Sequence, residues 1–71
     1  MEKSNFTVGS LWVRKVDGIA PFYFLVLAIR PLDVKFAGYR FDLDRPIGTY
    51  FFNWTEILNS DSNRITWEKL S

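Results

Sequence analysis

The sequence predicts an all-β domain of five antiparallel strands that form a small barrel or a strongly bent sheet, with one short helical turn before the last strand. Three observations lead to this fold class: short runs of strand-forming residues, turn signals between those runs, and one run that alternates between apolar and charged residues. With 71 residues, the chain is expected to form a single domain, 1–71. Because turns rather than helices separate the strands, neighbouring strands are expected to pair antiparallel.

The first strand is predicted over residues 11–16, a run rich in strand formers. Before it, residues 1–8 begin polar and are expected to form a flexible segment, with Phe6 and Val8 as the candidates for docking onto the domain. After it, the Asp-Gly pair at 17–18 predicts a tight turn.

The second strand is predicted over residues 21–31, where apolar and aromatic residues stand between two prolines. Since this run is apolar on both faces, it predicts either a central strand covered on both sides or a strand bent into a barrel. The third strand is predicted over 34–43 from its period of two, with a bulge at 37–38 that moves Tyr39, Phe41 and Leu43 onto the apolar face.

The fourth strand is predicted over residues 49–53, after a turn at 44–48 in which Gly48 is expected to adopt a positive φ. Asn53 followed three residues later by Glu56 is typical of a helix N-cap, so a single helical turn is predicted to begin there.

The polar cluster at 59–63 is predicted to end the helical turn, and Ile57 and Leu58 are predicted to enter the core from it. The last strand is predicted over 64–70, with Trp67 on its inward face.

The composition excludes several classes of function. Nine Lys and Arg stand against eight Asp and Glu, with the signs interleaved, so the whole molecule is not expected to attract nucleic acid or an anionic membrane over a long range. The absence of cysteine excludes disulfides and thiolate metal sites. A membrane-spanning helix needs about 20 apolar residues, and no apolar run in the sequence is that long. We therefore expect no membrane association. The expected location is the cytoplasm, which is that of the host if the protein is viral.

The sequence does not predict an enzyme, a cofactor or a metal. Asp42 and Asp44 lie two residues apart in the predicted third strand, and a carboxylate pair is one route to acid–base chemistry or divalent-ion binding. They alternate with apolar residues, however, which favours a solvated outer face. We therefore predict no catalytic and no metal-ligating residue.

The chain resembles the SH3-like small barrel in having a helical turn between strands four and five. The runs VGSLWVRK, GTYFFNWTEIL and RITWEKL are also similar to small proteins of unassigned role encoded by bacteriophages and other mobile elements. This resemblance covers residues 8–70 and lends no catalytic residue. It implies no proline-rich ligand, because the acidic loop residues of the peptide-binding Src-homology family do not occur here.

The first functional hypothesis is a non-catalytic protein-binding module, such as a phage-encoded adaptor or inhibitor of a host or viral protein. Seven Phe, three Tyr and three Trp are more aromatic rings than a domain of this size hides easily. If Tyr50 and Phe52 point inward, Phe51 points outward. The predicted contact residues are aromatic or arginine side chains: Trp12, Arg14, Tyr23, Arg40, Phe51 and Trp54. Alternatively, a second copy of the chain packs on the same aromatic face and forms a homo-oligomer.

The second hypothesis is nucleic-acid binding, in which aromatic side chains stack on bases and cations contact phosphates. Tyr23 and Tyr39 would be the stacking platforms, and the predicted phosphate contacts are Arg14, Lys15, Arg30, Lys35, Arg40 and Arg45. The interleaved acidic residues weigh against it, since ion pairing at the surface explains a residue such as Arg40 equally well.

Overall fold

The computed structural model describes residues 2–40, 42–58 and 64–71. A 3-10 helix, Lys3–Asn5, precedes the sheet. The remaining elements follow in chain order: β1 (Leu11–Val16), β2 (Phe22–Ile29), β3 (Asp33–Arg40), β4 (Arg45–Asn53), α1 (Trp54–Leu58) and β5 (Ile65–Lys69). The prediction of five strands with one helical turn before the last strand is confirmed.

The five strands form one antiparallel sheet in the order β4-β3-β2-β1-β5. The sheet is not closed into a barrel, because β4 and β5 remain its two edges. Of the two predicted forms, the closed barrel is therefore wrong. The edges nevertheless approach each other through side chains, because the ring centroids of Phe52 on β4 and Trp67 on β5 lie 5.5 Å apart. The sheet is therefore bent around its core without a hydrogen-bonded closure.

The boundary between β3 and β4 differs from the prediction. β3 ends at Arg40, a turn occupies 42–44, and β4 begins at Arg45, four residues before the predicted start. The tight turn is made possible by Asp44, which adopts φ 51, a left-handed conformation that aspartate tolerates better than most residues. Pro46 is compatible with β4 because β4 is an edge strand. Phe41, predicted for the apolar face of the third strand, lies outside the described residues.

A register irregularity occurs at Gly38, as predicted, but the extra residue is on the partner strand. Gly38 pairs with Gly48 and Tyr39 with Pro46, which leaves Ile47 of β4 as the additional residue. Gly38 is buried and keeps to the inner face, so Tyr39 turns outward instead of joining the apolar face. A Cβ at Gly38 would lie 2.8 Å from Tyr50 Cε2, so the aromatic ring uses the space that glycine leaves.

The core lies on the concave, inner face of the sheet. Phe6, directly after the 3-10 helix, and α1 bring further apolar side chains onto this face, and the Phe6 ring stacks on Trp12 with centroids 4.0 Å apart. The buried cluster combines aromatic and aliphatic side chains: Phe6, Trp12, Phe24, Val26, Val34, Phe36, Trp54, Ile57 and Trp67. Of the two docking candidates in the first segment, Phe6 is buried and Val8 is exposed.

The outer face of the sheet is only partly covered. β2 is central in the strand order, but its residues Leu25 and Leu27 are exposed, so the expected cover on both faces is absent among the described residues. Within that described part, no helix is long and apolar enough to cross a membrane.

The predicted N-cap is confirmed. The Asn53 Oδ1 atom accepts a hydrogen bond of 2.8 Å from the backbone N–H of Glu56, which satisfies one of the free donors at the start of α1. Ile57 is buried and Leu58 packs against the core, as predicted. The polar cluster at 59–63, predicted to end the helix, lies outside the described residues.

Candidate functional site

Two of the predicted contact residues are buried in the core. Trp12 is only 3% exposed and Trp54 only 7%, so neither side chain lies at the surface, where a contact residue would have to lie. Trp12 is covered by Phe6, and its Nε1 donates to Ser10 Oγ at 3.0 Å. Trp54 Nε1 donates to the backbone oxygen of Arg30 at 3.0 Å. Both indoles therefore stabilise the fold and are withdrawn from the surface.

Phe51 points outward, as predicted. Its neighbours Tyr50 and Phe52 pack against the core, whereas Phe51 is 52% exposed. The Arg30 guanidinium lies 4.9 Å from the Phe51 ring centroid, and Lys35 Nζ lies 6.0 Å from it. We call these three residues the Phe51 surface. Cations at these distances attract the face of an aromatic ring and restrict where it can move.

An ion pair holds Arg30 in this position. Its Nε and Nη2 atoms donate to the two carboxylate oxygens of Asp33 at 2.5 and 2.6 Å. These hydrogen bonds lower the pKa of Asp33 and raise that of Arg30. Lys35 has no acidic partner within ion-pairing distance among the described residues, so the Phe51 surface retains one uncompensated positive charge.

Tyr23 is a predicted contact residue in both functional hypotheses, and Tyr39 is a predicted stacking platform for nucleic acid. The two side chains are neighbours on the outer face. They are register partners on β2 and β3, and both are half-buried. The Tyr39 hydroxyl donates to Asp44 Oδ1 at 2.7 Å, which raises the pKa of Tyr39. Asp44 is thus engaged in a turn contact rather than in a carboxylate pair.

Arg40 is held by Asp42 and by an aromatic ring. Its Nε donates to Asp42 Oδ1 at 2.8 Å, and its guanidinium lies 4.8 Å from the centroid of Phe22. The bidentate ion pair lowers the pKa of Asp42. No group of three His, Cys, Asp or Glu side chains that could hold a metal ion occurs within residues 2–40, 42–58 and 64–71.

The six cations predicted for phosphate contacts do not form one free basic patch. Lys15 pairs with Glu68, Arg30 with Asp33 and Arg40 with Asp42, so half of the set is already neutralised. The other three are Arg14, Lys35 and Arg45.

Arg14 occupies a position that the sequence did not indicate. It follows Trp12 by two residues on β1, so it projects from the same inner face. Its guanidinium lies 5.3 Å from the ring centroid of Phe52 on β4 and 5.8 Å from that of Trp67 on β5. Arg14 therefore lies between the two edge strands, where the sheet fails to close. We call Arg14, Phe52 and Trp67 the Arg14 site.

The polar atoms of the Arg14 site are incompletely paired. Arg14 Nε and Trp67 Nε1 are buried and have no hydrogen-bond partner within residues 2–40, 42–58 and 64–71. Burial lowers the pKa of Arg14, and the carboxylate of Glu56 on α1 opposes this shift through its negative charge. Glu56 is not within ion-pairing distance of Arg14.

Comparison with protein-family models, with curated proteins and with solved structures found no match for this chain. The similarity to bacteriophage-encoded proteins therefore stays a prediction.

Proposed function

We propose that this protein is a non-catalytic protein-interaction module that binds its partner through the Phe51 surface. A phage-encoded adaptor or inhibitor would act in this way, by occupying the surface of a host or viral protein. One observation carries the proposal: a large aromatic side chain is more than half exposed while two cations position it.

The chemistry of the Phe51 surface is that of a binding hot spot. Aromatic and arginine side chains are enriched in protein interfaces. In the Phe51 surface the ring supplies the apolar area, and Arg30 and Lys35 supply the hydrogen-bond donors. Phe51 stands on β4 and pairs with Lys35 of β3, so the sheet fixes the backbone positions of the ring and of one of its cations. The backbone of this surface therefore needs little ordering on binding.

The pairing of Lys15, Arg30 and Arg40 with carboxylates favours this proposal over nucleic-acid binding. Each phosphate contact from such a residue would require an ion pair to be broken. A nucleic-acid complex would also weaken steeply as the salt concentration rises, because binding releases counterions.

The proposal is tested by affinity capture with the wild type, with Phe51→Ser and with Leu32→Ser. Leu32 is 81% exposed in the loop between β2 and β3. Leu32→Ser is therefore the matched control, because it also removes an exposed apolar side chain. We expect a stoichiometric protein partner that Phe51→Ser loses and Leu32→Ser retains. The complex should persist from about 0.1 M to about 1 M NaCl, since apolar contacts are little screened.

Two outcomes would contradict the proposal. A labelled single-stranded oligonucleotide that binds with a steep salt dependence would favour the nucleic-acid alternative. A salt-resistant oligomer that Phe51→Ser converts to a monomer in light scattering would show that a second copy covers the Phe51 surface.

A further inference from the structure

The Arg14 site contains a cation that is partly withdrawn from water without receiving an acidic partner. Arg14 is half-buried against two rings, and no ion pair or hydrogen bond to it occurs among the described residues. Its terminal nitrogens are not among the buried unpaired atoms, whereas its Nε is. The guanidinium is therefore enclosed on its stem side and open at its tip.

Such an arrangement is costly in an isolated domain. Burying a charged or polar group costs free energy unless a hydrogen-bonding partner compensates it, and most buried polar groups have one. Here two donors, Arg14 Nε and Trp67 Nε1, lie unpaired in one place. The two groups lie on register-paired residues of β1 and β5. Because both atoms are buried, a ligand reaches Arg14 through the open tip of its guanidinium, and the group that this tip can bind is a hydrogen-bond acceptor.

We propose that the Arg14 site binds a single carboxylate, that of an acidic side chain presented by another protein. The planar guanidinium matches the two oxygens of a carboxylate, and Phe52 and Trp67 hold its plane in place. The site lies on the inner side of the sheet and Phe51 on the outer side, so this inference goes beyond the proposed function and does not depend on it.

The charges around the site favour one carboxylate over a polyanion. Lys15 follows Arg14 in β1 but projects from the opposite face and is paired with Glu68. The carboxylate of Glu56 acts on Arg14 through its negative charge and would repel additional phosphates. A second cation on this face, Arg40 over Phe22, is already paired with Asp42. A cation with no ion-pair partner among the described residues, next to an acidic residue, suits a ligand with one negative charge.

The test is a titration of the isotope-labelled protein with sodium acetate and with N-acetyl-glutamate amide, followed by NMR. Sodium chloride at equal ionic strength is the control. The Arg14 Nε–H and Trp67 Nε1–H resonances are the reporters, because both atoms lie in the site and neither has a hydrogen-bond partner in the described part of the chain. We expect both resonances to shift and saturate with either carboxylate and not with chloride.

The variants separate binding at this site from a general charge effect. Arg14→Met retains an apolar stem over the rings and should abolish the saturable Trp67 shift. Lys15→Met removes the same charge from the other face and should leave the shift intact. Glu56→Gln should tighten carboxylate binding about two- to fivefold, because it removes a nearby negative charge.

The proposal is overturned if the Trp67 resonance responds equally to chloride and acetate, or if Arg14→Met retains the saturable shift. Tighter binding of inorganic phosphate than of acetate would also overturn it and would assign the site to phosphate-bearing ligands. If Arg14→Met fails to fold, Arg14→Lys takes its place. This variant keeps the charge but loses the planar donor pair, so we expect at least about fivefold weaker carboxylate binding.

Discussion

Phe6→Ala is expected to lower the free energy of unfolding by about 3–5 kcal/mol. Phe6 is 3% exposed, and its ring stacks on Trp12 and meets Trp54 and Trp67 edge-on at 5.8 and 6.2 Å. A buried phenylalanine ring removes roughly 150–250 Å² from water, which corresponds to about 4–6 kcal/mol at about 25 cal/mol/Å². The measured loss should be smaller, because the unfolded chain already buries part of this area.

Urea unfolding followed by tryptophan fluorescence measures this change. A domain of this size is expected to have a total stability of about 4–11 kcal/mol, so the variant loses a large fraction of it. With an m-value near about 1 kcal/mol per molar, the midpoint should fall by about 3 M, or the variant should be unfolded without urea.

Val8→Ala is the matched control in the same segment. Val8 is 66% exposed, so its truncation should change the stability by less than about 0.5 kcal/mol. If the midpoint of Phe6→Ala moves no further than that of Val8→Ala, the first segment does not dock on the core and the reasoning is refuted.

Three further changes follow from local contacts. Gly48→Val should destabilise the protein by about 1–3 kcal/mol, because Gly48 has φ 122. Thr49→Val, at the exposed neighbouring position, is the control and should change the urea midpoint little. Equal urea midpoints for the two variants would contradict the backbone argument. Asn53→Ala should cost about 1 kcal/mol through loss of the N-cap, and an unchanged midpoint would show that the cap contributes nothing. The pKa values of Asp33 and Asp42 are lowered by their arginine partners, so their stabilisation is present at neutral pH and is lost as the pH falls below about 4. Urea midpoints at about pH 6 and about pH 3 should therefore differ less for the double Asp→Asn variant than for the wild type, and an equal difference would exclude these carboxylates as the cause.

Local patterns in the sequence predicted much of the candidate surface. The adjacency of Tyr50, Phe51 and Phe52 required the middle ring to lie on the opposite face from the other two, and the packing of Tyr50 and Phe52 against the core makes Phe51 the outward one. The cations beside it could not be predicted, because Lys35 reaches Phe51 through strand pairing and Arg30 through the loop between β2 and β3.

The residues whose placement the sequence predicted incorrectly share a cause. A strand residue next to a turn looks exposed until another segment covers it, and Phe6 covers Trp12 in this way. Likewise, Asp42 and Asp44 fit an alternating strand in the sequence, but a three-residue turn forms there. Turn formation and docking both depend on contacts between segments that composition and periodicity do not specify.

The sequence by itself determined the number of strands, their antiparallel pairing, the N-capped helical turn and the opposite directions of Phe51 and its two aromatic neighbours, because each depends on residues within a few positions of one another. Only the tertiary structure decided that the sheet stays open, that the extra residue of the bulge is Ile47, and that Arg14 lies between Phe52 and Trp67. These features depend on how strongly the sheet bends, and the bend follows from the packing of side chains that are far apart in the chain.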